Sequence, residues 1–145
     1  MSGIDLVKQV IASMEANDFD KAGSLINDDM TFDGPVPEPV GKNEFLGLMK
    51  GLVSAIPDWN FHAADYQENG NVVSCTFEIS GNHTRALSLP MIPQPVPASG
   101  KHVQLPKEHL EFTLAGNKVS RLHSDNVPGA GVGGVMAQIG VVMPH

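Results

Sequence analysis

The first third of the chain repeats its apolar residues with the period of an α-helix. The first set recurs at intervals of three and four residues: Ile4, Val7, Ile11 and Met14. Ser2 or Asp5 can cap the start of this helix. Asn17-Asp18 interrupts the pattern, which then restarts at Phe19. We therefore predict a helix, a tight corner and a shorter second helix.

A third helix follows a proline-rich turn over residues 34–39. Asn43 can cap it, and Pro57 ends it. Its apolar stripe recurs at intervals of three and four residues: Phe45, Leu48, Met49, Leu52, Val53 and Ile56. Such a stripe predicts a helix with one face packed on a core.

After Pro57 the period changes to two, which predicts β-strands. Asn69-Gly70 and Gly116-Asn117 are hairpin signals between alternating segments. In the last strand we expect Val119, Arg121 and His123 to share one face. Helices first and hairpin-connected strands after them indicate an α+β fold with an antiparallel sheet.

Length and charge narrow the class of protein. The 145 residues suit a single domain spanning 1–145. The net charge is -7 and no basic run occurs, so we expect neither nucleic acid nor an anionic membrane as a partner. Without a signal-like or membrane-length apolar segment, and with Cys75 as the single cysteine, we expect a cytoplasmic protein. Cys75 lies in an apolar-alternating run, which favours burial.

A long connection over residues 84–102 carries four prolines and Gly100. Its apolar residues have no helix or strand in which to be buried, so we expect residues 87–97 to cover the mouth of a pocket.

Several short motifs occur in an order that is typical of one family. They are Pro57-Asp58-Trp59, Gly81-Asn82-His83-Thr84, Pro97-Ala98-Ser99-Gly100-Lys101, Gly116-Asn117-Lys118-Val119 and Val135-Met136-Ala137-Gln138-Ile139-Gly140. Taken together the set resembles the SnoaL-like polyketide cyclases of the nuclear-transport-factor-like superfamily.

That resemblance implies a cone-shaped, curved antiparallel sheet packed on three N-terminal helices, with a largely apolar pocket. It also implies ring closure by intramolecular aldol chemistry, which needs an acid/base group and neither a metal nor a cofactor. Asp125 matches the stretch that carries the acidic residue of these cyclases.

Polar residues on the last two strands are candidates for that chemistry. Asp125 and His123 are two residues apart and share a face, as do His109 and Glu111, and Arg121 lies nearby. The hairpin would bring the pairs together. A carboxylate and a histidine can act as base and acid once their pKa values differ. We assign Asp125, His123 and His109 to catalysis. Glu111 and Arg121 are assigned to substrate binding.

The alternative is that this polar face meets solvent, which is common for antiparallel sheets. The family resemblance favours the pocket for the last strand. Three further residues are candidates to line the pocket: Trp59, His83 and Met91. Trp59 is equally consistent with the core.

Two other site types are disfavoured. His109 with Glu111, or His123 with Asp125, forms a chelating pair on paper, but zinc sites usually have at least three ligands. The glycines at 129, 131 and 134 match a dinucleotide fingerprint, yet no acidic residue follows them.

The sequence thus predicts a cyclase-type enzyme acting without a cofactor on an apolar carbonyl compound. An isomerase or hydratase on the same fold, or a non-catalytic small-molecule-binding module, remains the alternative. We also expect a homodimer that buries an open sheet face. The apolar residues expected on that face include Phe77, Ile79, Leu110 and Phe112.

Overall fold

The computed structural model of the protein describes residues 2–34, 38–89, 94–125 and 127–140. The chain forms four helices in these ranges: α1 (Gly3–Glu15), α2 (Phe19–Ser24), α3 (Lys42–Ala55) and α4 (Gly131–Gln138). The strands are β1 (Ile26–Asp33), β2 (Val40–Gly41), β3 (Ala64–Asn69), β4 (Val72–Phe77), β5 (Ser80–Asn82), β6 (His102–Gln104), β7 (Glu108–Ala115) and β8 (Lys118–Ser124). The α+β order with three N-terminal helices is confirmed.

The first two helices begin at side-chain caps. The Ser2 hydroxyl accepts a hydrogen bond from the Asp5 N–H, and the Asp5 carboxylate accepts one from the Ser2 N–H. Asp18 caps α2 through the N–H of Lys21. These caps pair N–H groups that have no partner within the helix. The third helix begins at Lys42 with no side-chain cap, so the expected Asn43 cap is wrong.

Six strands form one curved sheet in the order β2-β1-β8-β7-β4-β3. Hairpins at Gly70 and Gly116 connect β3 to β4 and β7 to β8, and both glycines adopt positive φ. All neighbours pair antiparallel except β1 and β8, which run parallel. Most of the chain separates those two strands, so no hairpin fixes their relative direction. The second sheet pairs only β5 with β6.

The inner face of the main sheet packs on the helices. The buried apolar side chains form one hydrophobic core, with members from Val7 in α1 to Ile139 just after α4. It includes the residues that we expected on an open face: Phe77, Ile79, Leu110 and Phe112, each at most 6% exposed. That expectation is wrong, because α1 and α3 already cover the apolar side of the sheet. Cys75 is buried there as predicted, and burial raises the pKa of its thiol to about 12.

A bulge in β8 changes which residues share a face. Leu114 pairs with Val119 and Thr113 pairs with Arg121, so Ser120 has no opposite residue. Val119 is therefore buried while Arg121 is exposed. The prediction that these two share a face is wrong for this reason.

The described parts of the long connection pack on α3. Leu87 and Leu89 are buried in the core, and Leu87 forms a bridge with Val96. A Cβ atom built on Gly51 of α3 would lie 2.5 Å from the carbonyl oxygen of Ser88. No helix within the described ranges is long and apolar enough to cross a membrane.

Candidate active site

An apolar cavity lies between the inner face of the sheet, α1 and α3. The centre of a water-sized sphere can occupy about 60 Å³ of it, and the empty space is about 610 Å³ when the open solvent at its mouth is included. Leucine and methionine side chains from α3 form one wall. Aromatic rings from the strands, α3 and the segment after it form much of the rest: Phe32, Phe45, Trp59, Phe61, Phe77 and Phe112. Such walls exclude water and lower the local dielectric, so any polar group inside is poorly solvated.

Glu108 places a carboxyl group in this apolar lining. It is the first residue of β7 and lies opposite Phe77 of β4. Because side chains of a strand alternate, Glu108 faces inward together with Leu110 and Phe112. Its residue is 7% exposed. The pairing of β7 with β4 therefore holds the carboxyl group of Glu108 against the hydrophobic core.

The surroundings of Glu108 favour the neutral, protonated form of its carboxyl group over the charged form. Within the described chain Oε2 has no hydrogen-bond partner. Burial raises the pKa of the Glu108 carboxyl from 4.5 to about 7. An acid with this pKa is present in both protonation states near neutral pH. That is the property a general acid/base requires.

Ser124 supplies a hydroxyl to the same cavity. It ends β8, lies opposite Leu110, and is 1% exposed. Its Oγ donates a long hydrogen bond of 3.3 Å to the Asp125 carbonyl oxygen. The hydroxyl lies in the cavity wall, available to accept a hydrogen bond.

Sequence reasoning missed both residues, although their phase in the strands could have found them. Glu108 lies two residues before Leu110 on the apolar side of β7, and Ser124 lies two residues after Leu122 on β8. Each is a polar residue at a position where the alternation of the strand predicts an apolar one. A buried polar residue says more about function than a buried apolar one does.

The residues predicted for catalysis do come together, but not at the cavity. Asp125 lies 3.6 Å from Nδ1 of His109 and 3.6 Å from Nε2 of His123. The side chain of Asp125 is 54% exposed. None of the three lines the cavity. They lie on the outer face because the alternate residues Leu110 and Leu122 occupy the inner one.

Asp33 of β1 anchors this outer cluster, and the sequence analysis did not select it. It accepts hydrogen bonds from Nε and Nη2 of Arg121, at 3.1 and 3.0 Å, and contacts Nδ1 of His123. Burial disfavours the Asp33 carboxylate. Hydrogen bonds from His123 and Arg121 outweigh that effect and hold its pKa below the usual value. Glu111 lies opposite His123 on this face and is exposed.

The three remaining candidates have different positions. Trp59 lines the cavity and is also part of the core. His83 is fully buried away from the cavity lining, and its Nδ1 accepts a hydrogen bond from the Ser99 N–H at 3.2 Å. Burial lowers the His83 pKa. Met91 lies outside the described residues. Among those described, no group of three His, Cys, Asp or Glu residues could hold a metal ion.

The helices and the curved sheet thus form an α+β fold around an apolar cavity. The sequence matches the SnoaL-like domain family over residues 7–122. The chain therefore belongs to this family, as its motifs predicted. A search of curated protein sequences gives no match to this chain.

Solved structures share the fold at low sequence identity. A candidate SnoaL-like polyketide cyclase from Jannaschia sp. CCS1 is 16% identical with a TM-score of 0.72, covering 94% of this chain and 90% of that one. A SnoaL-like polyketide cyclase from Agrobacterium tumefaciens is 18% identical with a TM-score of 0.65, covering 86% and 90%. AclR, a candidate hydroxylase from Streptomyces galilaeus, is 14% identical with a TM-score of 0.73, covering 95% of each. The differing names agree with the rule that this fold does not fix a reaction.

Proposed function

We propose that the protein is a cyclase-type enzyme that acts by proton transfer, without a cofactor, on a neutral apolar carbonyl compound. Glu108 is the acid/base group in this proposal. The observation that carries it is a buried carboxyl group on the wall of an apolar cavity, with a pKa raised to about 7. The family to which the chain belongs supports the reaction class.

The proposed chemistry uses both protonation states of Glu108. The carboxylate takes a proton from the carbon next to a carbonyl group, and the electron pair of that C–H bond forms an enolate. In a cyclase the enolate carbon then bonds to a second carbonyl carbon of the same molecule, and the resulting alkoxide takes a proton. In an isomerase the proton returns to a different carbon. The apolar walls keep the carboxylate poorly solvated and therefore basic.

The outer cluster is the rival location for the acid/base group. Asp125 lies 3.6 Å from a ring nitrogen of each of two histidines, which is close enough for an ion pair but longer than a hydrogen bond. Its side chain is 54% exposed, however, and it does not line the cavity. Glu108 is favoured because it lies in the wall of an apolar cavity, and burial there raises the pKa of its carboxyl group.

Hydrogen exchange on a simple ketone tests the proposal. α-Tetralone is a neutral bicyclic ketone with hydrogens on the carbon next to its carbonyl group. In deuterated water, NMR follows their replacement by deuterium. We expect the protein to accelerate this exchange and Glu108→Gln to lower the rate by about 100-fold or more.

Two variants make the test specific. Glu78→Gln is the matched control, since Glu78 is an exposed carboxylate directly after β4, and it should keep the full rate. Asp125→Asn tests the outer cluster. A large loss in Asp125→Asn with none in Glu108→Gln would move the assignment to the cluster. No acceleration by the unmodified protein would favour the non-catalytic binding module.

We also propose that the protein is a cytoplasmic homodimer. Its helices cover only the inner face of the sheet, and the outer face of β7 and β8 is left partly exposed. That face carries charged residues, so a dimer built on it would be polar and sensitive to salt.

A further inference from the structure

The Trp59 indole is a buried hydrogen-bond donor without an acceptor. The residue is 4% exposed, and its backbone N–H is bonded to the Ile56 carbonyl oxygen at 2.9 Å. Its side-chain Nε1 has no hydrogen-bond partner in the described part of the chain. Buried tryptophan N–H groups usually have one, and leaving such a group unpaired is costly.

The residues around the indole offer no substitute acceptor of comparable strength. Phe61 meets Trp59 edge to face, with ring centroids 5.8 Å apart and planes at 77°. An N–H group directed at a ring gains much less than one directed at an oxygen. Among the described lining residues, the other polar side chains are Glu108 and Ser124.

Two residues of the cavity lining, Trp59 and Glu108, thus each carry a buried polar atom that has no hydrogen-bond partner in the described chain. One is the Trp59 Nε1–H, which only donates. The other is Glu108 Oε2. No lysine or arginine is among the described residues that line the cavity. An anionic ligand would gain no opposite charge there and would lie near an acidic group, so burying it is unfavourable.

We propose that the Trp59 Nε1–H donates a hydrogen bond to an oxygen of the ligand and thereby selects neutral apolar molecules that offer it a carbonyl oxygen. The inference rests on the proposed function only in taking this cavity as the ligand site. Trp59 is then a specificity-determining residue: it favours a carbonyl compound over the matching hydrocarbon. If the carbonyl oxygen becomes an enolate oxygen, the same N–H is already in place to stabilise its charge.

The single tryptophan makes the test direct, because the chain has one indole N–H and hence one indole signal. The ¹⁵N-labelled protein is titrated with three matched probes: α-tetralone, the hydrocarbon tetralin and the anion tetralin-1-carboxylate. We expect α-tetralone to shift the indole ¹⁵N–¹H signal downfield, as hydrogen bonding to oxygen does. Tetralin should bind about tenfold more weakly without that shift. The carboxylate should bind more weakly still.

A variant separates the hydrogen bond from the shape of the cavity. Trp59→Phe keeps an aromatic ring and removes the donor, so isothermal titration should show α-tetralone losing its tenfold advantage over tetralin. The unmodified protein gives the first answer even if this variant folds poorly. Equal indole shifts with ketone and hydrocarbon, or no shift with bound ketone, would overturn the inference. So would equal binding of the carboxylate, or no binding of any probe.

Failure of this inference differs from failure of the proposed function. An indole that does not respond, together with exchange that depends on Glu108, removes only the role of Trp59. An indole that responds, together with exchange that Glu108→Gln leaves unchanged, removes only the role of Glu108.

Discussion

Replacing Glu108 with glutamine should make the protein more stable at high pH than at low pH, relative to the unmodified chain. Burial raises the pKa of this carboxyl from 4.5 to about 7. The folded state thus binds the proton more tightly than the unfolded state. The unmodified protein loses stability as the pH rises from 4.5 to 7, and above 7 the loss is complete.

The expected magnitude follows from the size of that pKa difference. Each pKa unit corresponds to about 1.4 kcal/mol, so raising the pKa from 4.5 to about 7 destabilises the folded state at pH 8 by about 3 kcal/mol. Glutamine does not ionise, so the Glu108→Gln variant does not lose this part of its stability as the pH rises. Its amide adds a polar group to the cavity, but that cost is the same at every pH.

Urea unfolding between pH 4.5 and 8 measures the effect. The stability of Glu108→Gln minus that of the unmodified protein should increase by about 3 kcal/mol across this range. Glu78→Gln carries the same substitution on an exposed carboxylate, and the readout is the difference between the two variants. A Glu108→Gln difference that stays constant with pH would refute the argument that burial raises this pKa.

Other predictions concern the outer face and the packing of α3. Asp33→Asn removes the negative charge and one of the two acceptor oxygens that Arg121 and His123 share, and should cost about 1 kcal/mol at pH 7. Because the folded pKa is lowered, this cost should vanish as the pH falls below 3.8 in urea unfolding; a cost that persists in acid would contradict it. Gly51→Ala should lower Tm by a few degrees, since its Cβ would meet a loop carbonyl oxygen at 2.5 Å, whereas Gly47→Ala on the same helix has open space and should raise Tm. Calorimetry that shows equal changes for the two would count against the packing. Light scattering at micromolar concentration should give the mass of two chains, and the mass of one chain would exclude the homodimer.

The helices and hairpins could be predicted from the sequence because local chemistry specifies them. The apolar residues from Phe45 to Val53 fall on one face only when the segment is helical, so burying them together requires a helix. Gly70 and Gly116 adopt the positive φ that their turns require. The parallel pairing of β1 with β8 could not be predicted, since it joins segments far apart in the sequence.

The candidate site was harder to predict for two reasons. Burial of a polar residue depends on which face of the sheet the helices cover, and alternation alone leaves both faces possible. The bulge at Ser120 also shifts the alternation of side chains in the middle of β8, and no local sequence pattern predicts that shift. His123 and Asp125 were selected because they share a strand face and because the family resemblance favours that strand. Glu108, the single acid in the apolar phase of β7, was overlooked.

The central claim is that Glu108 exchanges its proton near neutral pH inside the cavity, and a ¹³C NMR titration of the glutamate carboxyl groups tests it most directly. The Glu108 signal is assigned by its absence in Glu108→Gln. Because burial raises its pKa, that signal should titrate with a midpoint of about 7. A midpoint near 4.5 would show a solvated carboxylate and contradict the account.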